Sequence, residues 1–139
     1  MATICIDFDG TCVTHEFPKV GKDIGAVPVL KKLVDAGHEL ILFTMRSPFE
    51  GISPVTKKIE NGGYQDAVNW FKENNIPLYA INENPSQRVW TSSPKPYAQV
   101  YIDDTALGAP LIYDPEICAR PFMDWVKAEQ MLKELGLIE

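Results

Sequence analysis

Short apolar runs alternate with longer segments of helical periodicity along this chain, and this alternation is the feature that most restricts its fold. The runs occupy residues 3–6, 39–44, 78–81 and 99–104, with a short fifth run at 110–114. Buried strands joined by helical crossovers form parallel sheets that are covered on both faces. The pattern therefore predicts a three-layer α/β/α, Rossmann-like parallel sheet of about five strands.

Three segments carry apolar residues at the three-to-four-residue spacing of a helix, at 26–36, 66–75 and 124–135. Gly37 and Gly136 follow the first and third segments as helix ends, and Pro77 limits the second. The stretches between them, 46–63 and 82–97, are rich in turn-forming residues and are predicted to be long loops, the first with at most a short helical turn. No linker or repeat divides the chain, so one domain over residues 1–139 is expected.

The composition narrows the classes of function. The 139 residues carry a formal net charge of −6, which argues against broad binding to nucleic acid or to a membrane surface, since both require a basic face. No apolar stretch approaches the roughly 20 residues of a membrane span, and the start of the chain lacks a signal-peptide pattern. The three cysteines have neither zinc-site nor redox-pair spacing, so we expect reduced thiols and a cytoplasmic protein.

Polar side chains stand at the carboxyl ends of three predicted strands. They are Asp7 and Asp9 after the first strand, Thr44 and Arg46 after the second, and Asp103 and Asp104 after the fourth. Ligands of parallel α/β sheets bind beyond the carboxyl ends of the strands. These side chains are therefore expected to meet at one edge of the sheet.

Four carboxylates at one edge repel each other, and a hard divalent cation is the usual means of offsetting that repulsion. Mg²⁺ prefers oxygen ligands and keeps several of its waters. The predicted metal residues are Asp7, Asp9, Asp103 and Asp104.

Three further residues are candidates for binding a phosphate at the same edge. The Thr44 hydroxyl and the Lys95 ammonium can bind its oxygens, and Gly10 allows backbone N–H groups to approach it. Arg46, two residues beyond Thr44, is a candidate substrate-binding residue.

Four motifs in this chain resemble those of the haloacid dehalogenase (HAD) superfamily of phosphohydrolases. The first is "DFDGT" at residues 7–11, and the second is "LILFT", which ends at Thr44. The third is Lys95 in "SPKPY", and the fourth is "VYIDD", which ends at Asp104. They occur in the family's order and span about three quarters of the chain.

The resemblance implies a mechanism and a cofactor. Asp7 is expected to attack the phosphorus and form an aspartyl-phosphate, and Asp9 to protonate the leaving oxygen and then activate water. Thr44 and Lys95 are expected to bind the transferring phosphoryl group. Mg²⁺ is expected on the Asp7 carboxylate, the Asp9 backbone carbonyl and Asp103, with Asp104 bound directly or through water.

The segments between the motifs are too short for a cap domain, so the chain resembles the capless branch of that superfamily, whose sites are open. The expected activity is hydrolysis of a phosphomonoester, with a small phosphorylated metabolite, sugar phosphate or nucleotide as substrate. The alternatives are a phosphatase for nucleic-acid ends or phosphoproteins, and a non-catalytic phosphate-binding protein of the same fold. Homo-oligomer formation stays open. A response-regulator receiver is disfavoured because its acceptor Asp ends the third strand, and "LYAI" has none.

Overall fold

A parallel sheet lies at the centre of the computed structural model, which describes residues 1–49, 51–52, 54, 57, 59–60 and 62–139. The strands in chain order are β1 (Thr3–Ile6), β2 (Glu39–Leu42), β3 (Gly51–Ile52), β4 (Ile59–Glu60), β5 (Ala80–Ile81), β6 (Val100–Ile102), β7 (Leu111–Ile112) and β8 (Phe122–Met123). Within the described residues, the central sheet has four strands in the order β5–β2–β1–β6, all parallel. The predicted Rossmann-like α/β fold is confirmed, with four strands in place of about five.

The fifth predicted strand does not join this sheet. Residues 111–112 form β7, which pairs antiparallel with β8 in a separate two-stranded sheet. The physical reason is the short connection from β6, since a parallel neighbour needs a crossover of a dozen or more residues. Only residues 103–110 separate β6 from β7, so the chain turns back locally.

Three helices form at the predicted places, with ends that differ from the prediction by at most two residues. They are α1 (Ala26–Asp35), α2 (Tyr64–Glu73) and α3 (Trp125–Glu134). The Asp124 side chain accepts hydrogen bonds from the first-turn N–H groups of α3, which is ordinary N-capping. Leu30 of α1, Phe71 of α2 and Leu132 of α3 share one core cluster with Ile6 of β1.

The helices therefore pack against the sheet face that carries Ile6, because successive strand residues point to opposite faces. The other face carries Cys5 and Tyr101, and Pro96 and Lys95 of the 82–98 segment contact Tyr101 there. The predicted third layer is therefore formed by this segment, whose residues are all described, and it contains no α-helix. This segment contains a 3₁₀ helix, Pro85–Val89, within the predicted loop. The Tyr101 hydroxyl donates to the Pro96 carbonyl, which ties the segment to β6.

The predicted loop at 46–63 contains a small hairpin within its described residues, and the stretch that could hold the predicted helical turn lies mostly outside them. Strands β3 and β4 pair antiparallel there, and residues 50, 53, 55, 56, 58 and 61 of this loop lie outside the described part of the chain. Among the described residues, neither this segment nor the one between β1 and α1 forms a separate cap domain. In the same described part of the chain, none of the helices has the length and apolar character to cross a membrane.

The strand register aligns the carboxyl ends of β1, β2 and β6 at one edge of the sheet. Ile6, the last residue of β1, is aligned with Leu42 of β2 and with Ile102 of β6. The Asp7 N–H then donates to the Ile102 carbonyl at 3.0 Å. The residues that follow these three strands therefore begin at the same height.

Candidate functional site

Three carboxylates converge at this carboxyl edge of the sheet. Asp7, Asp103 and Asp104 each offer one oxygen, and these oxygens lie within 4.8 Å of one another. The buried Thr11 hydroxyl lies 3.1 Å from Asp7 Oδ2 and 3.2 Å from Asp104 Oδ1. It also accepts the Asp104 N–H at 3.0 Å. The structure thus brings together three of the four predicted metal residues through their side chains.

The pKa of Asp7 shows that this arrangement disfavours the charged form of its carboxyl group. Burial raises the pKa of Asp7 to about 8, with further upward contributions from its hydrogen bond to Asp104 and from the charges of Asp103 and Asp104. At neutral pH the site therefore retains a proton unless a cation takes its place. Three carboxylates at this spacing are the oxygen donor set that a hard divalent cation such as Mg²⁺ prefers.

His15 is a member of the site that the motifs do not include. Its Nε2 lies 2.8 Å from Asp104 Oδ2, on the side of that carboxylate away from Thr11. The His15 ring can occupy this position because residue 10 has no side chain. A Cβ built on Gly10 would lie 2.0 Å from His15 Nε2 and 2.6 Å from Asp104 Oδ2. The available sequence signal was a histidine four residues after Thr11, in an irregular segment.

Gly10 lies in a tight turn at φ +80°, a conformation that glycine adopts readily. Its own N–H donates to the Val13 carbonyl at 2.7 Å. The predicted approach of backbone N–H groups to a phosphate at Gly10 stays a prediction. In the structure, Gly10 provides the space in which His15 and Asp104 meet.

Asp9 points away from the carboxylate cluster and pairs with Arg46. Arg46 Nε donates to Asp9 Oδ2 at 2.8 Å, and Nη2 donates to Asp9 Oδ1 at 2.7 Å. Arg46 is 3% exposed, so this is a buried bidentate pair at the end of β2, where sequence reasoning expected a substrate-binding residue. The predicted metal contact of Asp9, through its backbone carbonyl, stays a prediction.

Thr44 lies at the same carboxyl edge of the sheet, and its hydroxyl group can still donate a hydrogen bond. Its oxygen accepts the Arg46 N–H at 3.0 Å, and its own N–H donates to Asn82 Oδ1 at 2.8 Å. A hydroxyl that accepts a backbone bond can still donate its proton to an anion.

Lys95 is exposed, and its ammonium lies 5.8 Å from the centre of the Tyr101 ring. Tyr101 lies in β6, and Asp103 directly follows the end of this strand. In the part of the chain that is described, the Lys95 ammonium has no hydrogen bond to the carboxylates, so its predicted phosphate contact stays a prediction. Buried Gln87 holds the segment by donating to the Lys95 carbonyl at 3.0 Å.

The fold and site define an α/β protein of Rossmann-like architecture with a carboxylate cluster at the carboxyl edge of its sheet. A solved structure of the conserved protein coded by a locus of Bacteroides thetaiotaomicron is similar to it, with a TM-score of 0.68 and 30% identity. The match covers 96% of this chain and 90% of the other. This chain belongs to the same family as that conserved protein. No protein-family model and no curated protein matches the sequence.

Proposed function

We propose that this protein is a Mg²⁺-dependent phosphatase of the haloacid dehalogenase superfamily, of the capless type, which hydrolyses a phosphomonoester. The observation that carries the proposal is the convergence of the Asp7, Asp103 and Asp104 carboxylates at one sheet edge. Carboxylate oxygens are the ligands that hard divalent cations prefer. The order of the motifs along the chain, from "DFDGT" to "VYIDD", supports the same assignment.

The chemistry of the donors supports Mg²⁺ as the cofactor. Asp7, Asp103 and Asp104 would hold it through carboxylate oxygens, with the Asp9 carbonyl as a further ligand. The raised pKa of Asp7 supports this, because burial first, and then the neighbouring Asp104 and Asp103, disfavour the charged carboxylate when no cation offsets the charge. When bound, the cation neutralises charge on Asp7 and on the phosphoryl oxygens, which lets an anionic nucleophile approach an anionic substrate.

The first half of the reaction uses Asp7 as the nucleophile. One Asp7 oxygen attacks the phosphorus, and the bond between phosphorus and the leaving oxygen breaks. An aspartyl-phosphate forms, and Asp9 in its protonated form, which the second half of the reaction regenerates, supplies the proton that the departing oxygen takes up.

The second half uses Asp9 in the reverse sense. A water attacks the phosphorus of the aspartyl-phosphate while Asp9 takes the proton of that water. The bond between phosphorus and Asp7 breaks, the Asp7 carboxylate is restored and inorganic phosphate leaves. Thr44, whose hydroxyl proton is available, and Lys95, whose ammonium is exposed, bind the phosphoryl oxygens during both halves.

A small phosphorylated metabolite, sugar phosphate or nucleotide is the proposed class of substrate. The absence of a cap domain among the described residues supports a site that is open to solvent. The net charge of −6 disfavours nucleic-acid ends, because a polyanion would be repelled over much of the surface.

The test compares wild type with Asp7→Asn on p-nitrophenyl phosphate and on a panel of phosphorylated metabolites, with Mg²⁺ and with EDTA. We expect Asp7→Asn to lower turnover by roughly 1,000-fold or more and EDTA to abolish it. Asp35→Asn is the matched control, because Asp35 is exposed at the end of α1. The chain enters β2 just after Asp35, at the opposite edge of the sheet from the site.

Two results would contradict the proposal. Equal, negligible turnover by wild type and Asp7→Asn over the whole panel would remove the assigned activity. Turnover that is unchanged in EDTA would remove the metal from the mechanism.

A further inference from the structure

The guanidinium of Arg46 uses all of its hydrogen-bond donors. Two go to the carboxylate of Asp9, at 2.7 and 2.8 Å. Three more go to backbone carbonyls, to Lys19 at 2.7 Å, Gly63 at 3.2 Å and Pro18 at 3.3 Å. A guanidinium has five N–H groups, so every one of them has a partner within the protein.

Two aromatic rings enclose the same group. The Arg46 guanidinium carbon lies 5.0 Å from the centre of the Phe8 ring and 5.1 Å from that of Phe17. Such contacts add cation–π attraction to the hydrogen bonds. With its donors occupied and its faces covered, Arg46 has no group left with which to bind a phosphate.

We infer that Arg46 is a positioning residue, which fixes the Asp9 carboxylate and fastens two surrounding segments to the end of β2. The first segment is 17–19, which follows the "DFDGT" turn, and the second begins α2 at Gly63. For its catalytic consequence, this inference rests on the proposed function of Asp9. It replaces the expected role of Arg46 as a substrate ligand.

The surroundings of Arg46 are built to admit it. A Cβ on Gly63 would lie 2.7 Å from Arg46 Nη1, and Gly63 has a φ of +74°. The Arg46 N–H also donates to the Thr44 hydroxyl oxygen. One residue thus sets the positions of Asp9 through its side chain and of Thr44 through its backbone.

Asp9 remains reachable from the site while it is held. Its side chain is 21% exposed, whereas that of Arg46 is 1% exposed. Arg46 therefore supports Asp9 from the protein side, and the open side of Asp9 faces solvent or substrate. A misplacement of about 1 Å in such a group can lower a rate by about 100-fold.

The catalytic test is a double-mutant cycle on p-nitrophenyl phosphate with Mg²⁺, using Arg46→Met, Asp9→Asn and the pair together. We expect Arg46→Met to lower kcat by about 100-fold and to change KM by less than about threefold. The double variant should be no slower than Asp9→Asn alone, because Arg46 acts through Asp9. Arg88→Lys, in the exposed ion pair with Glu83, is the matched control and should keep wild-type kinetics.

The inference would be overturned if the kcat loss of the double variant equalled the product of the two single losses. It would also be overturned if Arg46→Met raised KM without lowering kcat. Both results indicate direct substrate binding by Arg46. Arg46→Lys keeps the charge but cannot form five hydrogen bonds. It should share the kcat defect and serves as the second variant where Arg46→Met fails to fold.

Amide hydrogen exchange tests, without an activity assay, whether Arg46 holds these two segments in place. In Arg46→Lys, exchange of residues 17–20 and 62–64 should rise together by at least about tenfold, while β1 and β6 keep their protection. Unchanged exchange in both segments would overturn the inference. If the wild type has no Asp7-dependent turnover, the proposed function fails, and the exchange result still decides whether Arg46 fastens these segments.

Discussion

The His15 imidazole lies 2.8 Å from the carboxylate of Asp104, although 89 residues separate them in sequence. Thr11 holds the other oxygen of the same carboxylate. Asp104 is thus held from two sides by residues of one turn, and its position in the cluster follows from that turn. His15 is therefore part of the framework of the acidic site.

Replacing His15 by alanine should destabilise the metal-free protein. The buried Asp104 Oδ2 loses its partner, and leaving such an acceptor without a hydrogen bond costs about 1–3 kcal/mol. Urea unfolding in EDTA measures the change in the free energy of unfolding. A variant as stable as wild type would contradict the role given to His15.

Gly10→Ala should be more damaging than Gly37→Ala, although both glycines have positive φ, at +80° and +90°. A Cβ at Gly10 overlaps His15 and Asp104, whereas a Cβ at Gly37 meets nothing within 4 Å. The left-handed conformation costs both variants about 1–2 kcal/mol, and overlap adds about 1–3 kcal/mol at Gly10 alone. Thermal and urea unfolding compare the two, and equal losses would show that the space at Gly10 is not needed.

The stability of the metal-free protein should fall as pH rises from about 4 to about 8. The folded-state pKa of Asp7 is raised from 3.8 to about 8, chiefly by burial, so over this range the folded protein holds a proton that the unfolded chain has released. The stabilisation from this proton is complete below the Asp7 pKa of the unfolded chain. It is lost as the pH rises through the Asp7 pKa of the folded protein, at no more than about 1.4 kcal/mol per pH unit.

The measurement is urea unfolding at several pH values, in EDTA and in saturating Mg²⁺. Subtracting the profile of Asp7→Asn isolates the contribution of this group from the other carboxyls. Mg²⁺ should flatten the decline, because the cation replaces the proton. A difference profile that is level from pH 5 to pH 8 in EDTA would rule out the raised pKa.

Asp103→Asn should remove most of the stabilisation that Mg²⁺ confers. A ligand at 100 times its dissociation constant stabilises the folded state by about 2.7 kcal/mol, and loss of one charged ligand weakens binding enough to cancel much of this. Thermal unfolding with and without Mg²⁺ measures it, with Asp114→Asn as the control, since the Asp114 carboxylate is not part of the cluster and accepts a bond from the nearby Glu116 N–H. The same Mg²⁺-dependent shift in Asp103→Asn and wild type would exclude Asp103 as a ligand.

The sheet and the strand-end residues could be predicted from the sequence because they depend on local patterns. An apolar run such as Thr3–Ile6 is buried on both faces, and a parallel register then carries Asp7 and Asp103 to one edge. The three helices follow from periodicity in the same way. The pairing of residues 111–112 could not be predicted in this way, because a two-residue strand has no sequence pattern of its own. Its partner depends on the length of the connection from β6.

The partners of the charged residues depend on the paths of irregular segments, which periodicity does not describe. The position of Arg46 in its pair with Asp9 depends on the carbonyl groups of Pro18, Lys19 and Gly63, which accept the remaining guanidinium donors. His15 reaches Asp104 through a turn whose geometry depends on Gly10. Each of these contacts is specified by tertiary structure, so sequence reasoning named the residues Asp9 and Arg46 but assigned Arg46 a different partner.

The central position of β1, between β2 and β6, has a consequence for biosynthesis. Thr11 and Asp104 are 93 residues apart, so a chain emerging from the ribosome cannot assemble the acidic cluster until the segment after β6 has been made. Docking of β6 beside β1 must then overcome both loop-closure entropy and the repulsion between Asp7 and the two incoming carboxylates. If the cluster binds a divalent cation as proposed, a cation present at that moment would favour this docking by offsetting the repulsion, and newly made chains would reach the native state more readily when the cation is supplied.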